Sequence, residues 1–284
     1  DIDPGSWNIS IEQLEKKLKK SKKKNLPKIL ILVHLAGMPS QLEKIHKLSK
    51  TYNFKIIEDA SHAIGAKYKN NPIGNCKWSD LTVFSFHPVK IITSGEGGAV
   101  TTNNKKLAEK IKLLRENGIH TIKSKFENFA YYPNYYEQVD SGFNFRMSEI
   151  SAALANSQLK KLDFFINERN SIAKTYLKYI KNPKFVFQKN LEGVKSSYHL
   201  FITKLISQKN EEYLRIFKIF KKNDIFINLH YKALHLNPYF KKMGFKKGEF
   251  PISENYSYSA FSIPIFVGLK YKKIKKIINI LNNF

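Results

Sequence analysis

Several residue types are scarce in this sequence, and each shortage excludes a class of protein. Cys76 is the only cysteine among 284 residues, which excludes an intrachain disulfide and a cysteine-based metal cage. The longest strongly apolar run, residues 29–33, is far too short to span a bilayer. Together these shortages favour a protein of the reducing cytoplasm that has no membrane partner.

Acidic residues and arginine are also scarce. The 49 Lys and Arg residues against 23 Asp and Glu residues give a formal net charge of +26. Proteins that bind nucleic acid favour arginine, because its guanidinium can form two parallel hydrogen bonds to a base or a phosphate. Only four of the basic residues here are arginine. The lysines are scattered, without a recognition motif. We therefore interpret the charge as a solvated surface that attracts an anionic substrate, with a non-catalytic nucleic-acid-binding protein as the alternative.

The first third of the chain alternates between strand and helix patterns. Residues 28–33 and 54–59 are apolar and predict buried strands. Residues 10–13 and 40–43 read as capping boxes, each at the start of a helix. The unit 28–59 is thus strand–helix–strand, which implies parallel strands and an α/β fold.

The same alternation continues later, with one interruption. Residues 117–145 are rich in Tyr, Asn and Phe and predict a long functional loop. We expect residues 1–145 to form part of a large α/β domain and residues 146–284 to form a smaller α/β domain. Further strands are predicted at 81–86, 99–102, 200–206 and 225–229, and further helices around 107–114, 148–162, 213–220 and 274–281.

Lys90 and Asp59 are the strongest candidates for chemistry. Asp59 ends an apolar strand, and Lys90 lies between such a strand and the glycine turn 95–98. A lysine in an apolar setting has a lowered pKa and can act as a nucleophilic amine. Asp59 is either a turn residue or a carboxylate paired with a protonated ring nitrogen. An amine and a carboxylate in these settings are what pyridoxal phosphate (PLP) requires.

Three other features near them have both ordinary and functional interpretations. His62 is either a partly buried histidine or a group beside the ring. Ser85 is a common type of strand-end serine that can also donate a hydroxyl to a phosphate. The pair 97–98 is a glycine turn that also permits close backbone approach.

Polar residues further along the chain are weaker candidates. Asn144 and Arg146 lie either at a simple loop-to-helix junction or at an anion site. His230 and His235 are five residues apart without acidic neighbours, which is weak support for a metal site. We therefore predict no metal site.

Four segments carry a resemblance to a known family, and they occur in the family's order along the chain. These segments, 57–65, 84–90, 95–100 and 142–150, resemble the sugar aminotransferases of the DegT/DnrJ/EryC1/StrS family. Members carry a longer N-terminal region before the point that matches Asp1. That region holds a Ser/Thr-rich phosphate turn and a ring-stacking aromatic residue. We therefore expect this chain to be a fragment with an incomplete cofactor site.

The resemblance implies a fold and a set of roles. The fold is the type I aspartate-aminotransferase-like fold, a PLP-dependent transferase that forms a homodimer with active sites at the interface. Lys90 is then the lysine that binds PLP covalently, and Asp59 is the partner of the ring nitrogen. His62 lies near the phenolic oxygen and Ser85 binds the phosphate. Asn144 or Arg146 reaches the partner subunit's cofactor.

The resemblance also implies a reaction. An amino group passes from a donor, L-glutamate, to C4 of a UDP-linked 4-keto-6-deoxy-N-acetylhexosamine used in surface-glycan biosynthesis. We expect His87, His230 and Tyr231 to contact this substrate. A 3-amino sugar enzyme of the same family is the alternative. A related sugar dehydratase, which has histidine in place of the lysine, is disfavoured by Lys90.

Overall fold

The computed structural model describes residues 1–120 and 135–284. Its helices and strands alternate through most of this range, as an α/β fold requires. The α-helices are α1 Ile11–Lys20, α2 Leu42–Tyr52, α3 Lys105–Arg115, α4 Glu149–Leu159, α5 Leu162–Tyr179, α6 Asn210–Lys222, α7 Pro238–Lys242, α8 Pro251–Ser259 and α9 Tyr271–Asn282.

The strands are short, and they form four separate sheets within the described residues. They are β1 Ile29–Val33, β2 Lys55–Asp59, β3 Lys67–Tyr68, β4 Asn71–Pro72, β5 Leu81–Ser85, β6 Gly98–Thr101, β7 Ile119–His120, β8 Glu137–Gln138, β9 Phe185–Phe187, β10 Val194–Lys195, β11 Phe201–Leu205 and β12 Ala260–Ile263.

The largest sheet has four strands in the order β1-β2-β5-β6. Strands β1, β2 and β5 are parallel, and β6 is antiparallel to β5. Helix α2 connects β1 to β2, which confirms the predicted strand–helix–strand unit. In the register of the first three strands, Asp59 lies between Val33 and Val83. The carboxyl ends of the parallel strands therefore share one edge, where α/β folds bind ligands.

The two faces of this sheet differ in burial. One face packs into a core of buried side chains that includes Leu32, Ile56 and Phe84. On the other face Ile29, Ile31 and Val33 are 53%, 65% and 45% exposed. We refer to these as the packed face and the open face. Asp59 is on the open face, because the residues on either side of it along the strand are both buried.

A second core lies in the C-terminal half. The antiparallel sheet β12-β11-β9 packs against helices α5, α6 and α9. Fully buried Tyr176, Phe220 and Phe261 are at its centre. The two separate cores are consistent with the expected division into domains 1–145 and 146–284, which stays a prediction.

Contacts around Gly37 join the two halves. The Ser197 hydroxyl donates to the backbone oxygen of His62 at 2.8 Å, and the Ser197 amide donates to that of Gly37 at 3.0 Å. Gly37 has φ +89°, and a Cβ there would lie 2.1 Å from Ser197 Oγ. Only glycine fits this junction without a shift of the neighbouring chain.

Two local predictions were wrong. Ser40 does not cap α2, because its hydroxyl donates to the oxygen of Val33 and Gln41 occupies the cap position. Residues 225–229 do not form a strand; Asn228 makes only an isolated bridge to Ser262. The predicted cap at Ser10 is confirmed, since its hydroxyl accepts the backbone N–H of Gln13, and Ser148 caps α4 in the same way.

The predicted loop 117–145 falls partly outside the described residues, which resume at 135. Strands β7 and β8 pair on either side of the undescribed part. Within the described ranges, no helix is long and apolar enough to cross a membrane. The same ranges hold no cluster of three or more His, Cys, Asp or Glu residues suited to a metal ion.

Candidate active site

Asp59 ends β2 and is held by short-range hydrogen bonds. Its Oδ1 accepts the backbone N–H of Ser61 at 3.1 Å. Its backbone oxygen accepts the amide of His34 at 3.2 Å. The residue is half-buried on the open face of the sheet, so its second carboxylate oxygen is available to a ligand.

Lys90 lies in the segment between β5 and β6. Its backbone N–H donates to the oxygen of His87 at 2.9 Å, and buried Ile91 and Ile92 anchor the turn that follows it. Burial lowers the pKa of Lys90, and the negative charge of Asp59 partly opposes this shift. The lowered pKa increases the neutral, nucleophilic fraction of the amine near neutral pH.

The His62 ring forms hydrogen bonds with residues from both halves of the chain. Its Nδ1 accepts the amide of Ala36 at 3.3 Å, and its Nε2 lies 3.3 Å from the Tyr231 hydroxyl. Burial, followed by the charge of Lys90, lowers the pKa of His62 to about 4, although Asp59 raises it. The ring is therefore neutral at pH 7. Because Nδ1 accepts, the proton is on Nε2, which donates to Tyr231.

A cavity of about 920 Å³ adjoins Lys90. His199, His230 and Tyr231 also line it, together with Arg169. His230 Nδ1 bonds the Ser262 hydroxyl at 2.9 Å. Burial and then the charge of Asp59 raise the pKa of Tyr231, so its hydroxyl keeps a proton at neutral pH. The structure thus brings the predicted residues His230 and Tyr231 to the cavity that contains Lys90.

Ser85, His87 and the glycine turn lie at the end of β5. Ser85 is half-buried, and its Oγ accepts the N–H of His87 at 3.4 Å. The imidazole of His87 is exposed, 3.8 Å from Glu96. A Cβ on Gly98 would lie 2.5 Å from the oxygen of Phe84, so glycine permits the β5–β6 pairing that closes this turn.

Asn144 and Arg146 are not joined to the Asp59–Lys90 group by any described hydrogen bond or ion pair. Arg146 Nε donates to Asn144 Oδ1 at 2.5 Å and lies 3.7 Å from Glu116. Both side chains are exposed, as are Phe143 and Phe145 on either side of Asn144. Their predicted action on a partner subunit stays a prediction.

Sequence reasoning missed His199, Arg169 and Glu58. The His199 ring packs 4.4 Å from that of His62, and Arg169 Nη1 donates to the backbone oxygens of Tyr198, His199 and Ile265. The one available signal was that arginine and histidine are both uncommon in this chain.

The described residues fit PLP. The structure places a carboxylate, a lysine of lowered pKa and a neutral histidine within electrostatic reach of one another. Asp59 suits a protonated ring nitrogen and Lys90 suits an aldehyde. The donor set therefore agrees with the cofactor expected from the sequence.

Comparison with known proteins gives the class. Residues 1–282 match the DegT/DnrJ/EryC1/StrS aminotransferase family. The chain belongs to this family and is a PLP-dependent aminotransferase with the expected α/β fold.

Particular relatives are similar over nearly the whole chain. A UDP-4-amino-4,6-dideoxy-N-acetyl-beta-L-altrosamine transaminase of Campylobacter jejuni is 36% identical over 271 residues, which is 94% of this chain and 68% of that protein. The Helicobacter pylori aminotransferase PseC, involved in the biosynthesis of pseudoaminic acid, superposes with a TM-score of 0.87 at 30% identity. The match covers 99% of this chain and 71% of that one.

Two further solved structures support the fold. A family member from Brucella abortus has a TM-score of 0.86 at 26% identity and covers 100% of this chain and 72% of that one. The Streptococcus pneumoniae protein Spr1654, in its PLP-form, has a TM-score of 0.86 at 24% identity. The match covers 100% of this chain and 73% of that one.

Proposed function

We propose that this protein transfers an amino group from L-glutamate to C4 of a UDP-linked 4-keto-6-deoxy-N-acetylhexosamine. The observation that carries the proposal is that Lys90 and Tyr231 line one cavity, with His62 hydrogen-bonded to Tyr231 and Asp59 within electrostatic reach of Lys90. The similarity to transaminases that act in pseudaminic acid synthesis supports the choice of sugar.

Five residues are proposed to hold PLP. Lys90 Nζ binds the aldehyde, and Asp59 pairs with the ring nitrogen. His62 lies near the phenolic oxygen, to which Tyr231 can donate its free hydroxyl proton. Ser85, at the end of β5, donates to the phosphate. Gly98 pairs with Ser85, and backbone N–H groups of the glycine turn would offer further donors to the phosphate.

Lys90 is also proposed to move the proton in both half-reactions. When bound, PLP supplies an electron sink that makes the hydrogen next to an amine acidic. Once the amino donor has displaced Lys90 from the aldehyde carbon, the freed amine would carry the proton from Cα of the donor to that carbon. In the second half-reaction, the same amine would carry a proton from that carbon to C4 of the sugar. The lowered pKa of Lys90 suits this double role, since general acid–base catalysis works best near the operating pH.

The substrate is proposed to enter through the cavity beside Lys90. His230 and Tyr231 line that cavity, and His87 is exposed at the end of β5. The formal net charge of +26 favours approach of a diphosphate by long-range attraction.

A homodimer in the cytoplasm completes the proposal. Phe143 and Phe145, 58% and 68% exposed, stack on each other beside Asn144, and Ile150 nearby in the sequence is 84% exposed. Exposed apolar side chains of this kind favour contact with a second copy. In that dimer, Asn144 or Arg146 reaches the partner's cofactor.

Mass spectrometry of the amino sugar formed from matched substrates tests the proposal. The purified full-length protein, PLP and L-glutamate are incubated with a UDP-4-keto sugar and, separately, with a UDP-3-keto sugar. We expect amination at C4 only. Amination at C3 alone supports the alternative enzyme of the same family, and no amination of either contradicts the proposed substrate class.

Filter binding tests the nucleic-acid alternative. We expect only weak retention of DNA that disappears as salt rises from low to physiological concentrations. Tight, sequence-dependent retention at physiological salt would instead favour a nucleic-acid-binding protein.

A further inference from the structure

Glu58 is a buried carboxylate directly behind the candidate site. It precedes Asp59 in β2, but its side chain is on the packed face and only 3% exposed. Ionised side chains are rarely buried unless they are paired. The described residues supply no lysine or arginine partner for it.

Three donors hold this carboxylate. His34 Nε2 lies 2.7 Å from Oε2, and Thr82 Oγ1 lies 3.0 Å from Oε1. The Ser79 hydroxyl also donates to Oε1. His34 follows β1, while Ser79 and Thr82 lie before and within β5. One side chain therefore connects all three parallel strands.

The tautomer of His34 is fixed by its other nitrogen. The backbone N–H of Ser40 donates to His34 Nδ1 at 3.1 Å, so Nδ1 holds a lone pair and the proton is on Nε2. His34 therefore donates to the carboxylate through Nε2. Burial raises the pKa of Glu58, but the hydrogen bond and charge interaction with His34, followed by the hydrogen bonds from Ser79 and Thr82, outweigh it, and the net pKa is lowered.

The same histidine segment touches both site residues. The backbone N–H of His34 donates to the oxygen of Asp59 at 3.2 Å. Two residues on, the Ala36 amide donates to His62 Nδ1 at 3.3 Å. A side chain that fixes His34 therefore fixes the backbone of Asp59 directly and the ring of His62 through Ala36.

We propose that Glu58 is a positioning residue for the cofactor site, acting through His34 on Asp59 and His62. This inference rests on the proposed role of Asp59. In this role, the Glu58 carboxylate holds the ends of the three strands in register. Asp59 is then already oriented toward the ring nitrogen when the cofactor binds.

The test compares two carboxylate-to-amide variants in the same strand pair. Glu58→Gln removes the negative charge and leaves one side-chain oxygen to accept hydrogen bonds, while the Ser40 amide keeps the His34 proton on Nε2. Asp80→Asn is the matched control, because Asp80 also connects β5 to β2, accepting the Ile56 amide at 2.9 Å, but at the end away from Asp59. The measurements are PLP affinity and the absorption spectrum of bound PLP, with thermal unfolding of the apoprotein recorded alongside.

We expect Glu58→Gln to weaken PLP binding about tenfold and to change the spectrum, and Asp80→Asn to stay within about twofold of wild type. Equal effects of the two variants would show that Glu58 contributes only stability and would overturn the proposal.

A second pair keeps the test valid if Glu58→Gln does not fold. Thr82→Val removes one donor to Glu58 with little change of shape, and Thr82→Ser restores the hydroxyl. We expect weaker PLP binding in the valine variant and recovery in the serine variant; no recovery contradicts the proposal.

Asp59→Asn separates this inference from the proposed function. An unchanged spectrum in Asp59→Asn contradicts the cofactor role of Asp59 itself. If Asp59→Asn changes the spectrum of bound PLP while Glu58→Gln changes neither the spectrum nor the PLP affinity, only the positioning role is contradicted.

Discussion

The packed and open faces of the β1-β2-β5-β6 sheet carry neighbouring carboxylates with different surroundings. On the packed face, Glu58 has three side-chain donors and almost no exposure. On the open face, Asp59 has one backbone donor and stays half-buried. Adjacent residues of one strand point to opposite faces, so a step of one residue separates a held carboxylate from an available one. The comparison teaches that availability to a ligand, more than charge, marks the reactive position.

Lys90→Ala, beside the open face, is expected to have the largest effect. Loss of the amine removes both the attachment of PLP and the proton carrier, so turnover should fall by more than about 10³-fold. Lys204→Ala is the control, because burial also lowers the pKa of Lys204, which is outside the proposed site. Borohydride reduction and peptide mapping should label Lys90 in the wild type, and a label on another lysine would refute the assignment.

Asp59→Asn should come next. An opposite charge near a titratable group shifts its pKa by about 1–3 units, so the fraction of protonated ring nitrogen should drop about 10- to 1000-fold. We expect the turnover number to fall within that range while thermal unfolding is unchanged. Turnover within a few-fold of the wild type would make Asp59 a turn residue and remove the contrast with Glu58.

Mixed dimers extend the comparison across the proposed interface. Lys90→Ala and Arg146→Ala subunits should each be inactive alone. After subunit exchange, we expect about one working site per heterodimer if Arg146 acts on the partner's cofactor. Turnover of the exchanged mixture measures this, with unmixed parents as controls. An exchanged mixture that stays inactive would exclude the role in trans for Arg146.

The pH dependence of stability should show the smallest effect. His62 has a pKa of about 4 when folded and 6.5 as its ordinary value, so the unfolded chain binds the proton first as pH falls. His62 should therefore reduce the free energy of unfolding between pH 6.5 and about 4, by up to about 3 kcal/mol. Above pH 6.5 it should contribute no pH dependence.

Urea unfolding of the wild type and of His62→Gln at pH 7 and pH 5 measures this contribution. The glutamine variant should lose less stability on acidification. Burial also lowers the pKa of His199, to about 2, so part of the slope should remain in the variant. Identical slopes in the two proteins would show that His62 is not held neutral.

The amino-acid sequence best predicts those residues whose role can be inferred from their immediate neighbours in the chain. Asp59 and Lys90 could be found because a strand end and a glycine turn are visible within a few positions of each. Glu58 could not be recognised in this way. Its significance depends on His34 and Thr82, each 24 positions away, which only the sheet brings together.

The wrong predictions have a similar origin. Residues 225–229 alternate as a strand does, and Ile225 is buried while Phe226 is 82% exposed. Pairing, however, requires a neighbouring strand in register, and only Asn228 meets one. Ser40 has the residue type of a helix cap, but the nearby oxygen of Val33 competes for its hydroxyl.

The junction at Gly37 has a mechanical consequence. A Cβ there would also lie 2.7 Å from the backbone oxygen of His62, so the two halves of the chain meet without spare volume beside the site. Parts that touch this closely cannot separate or slide at the point of contact without breaking the Ser197 hydrogen bonds. The junction therefore holds the segment around Ser197 and the backbone of His62 at a fixed separation beside the site.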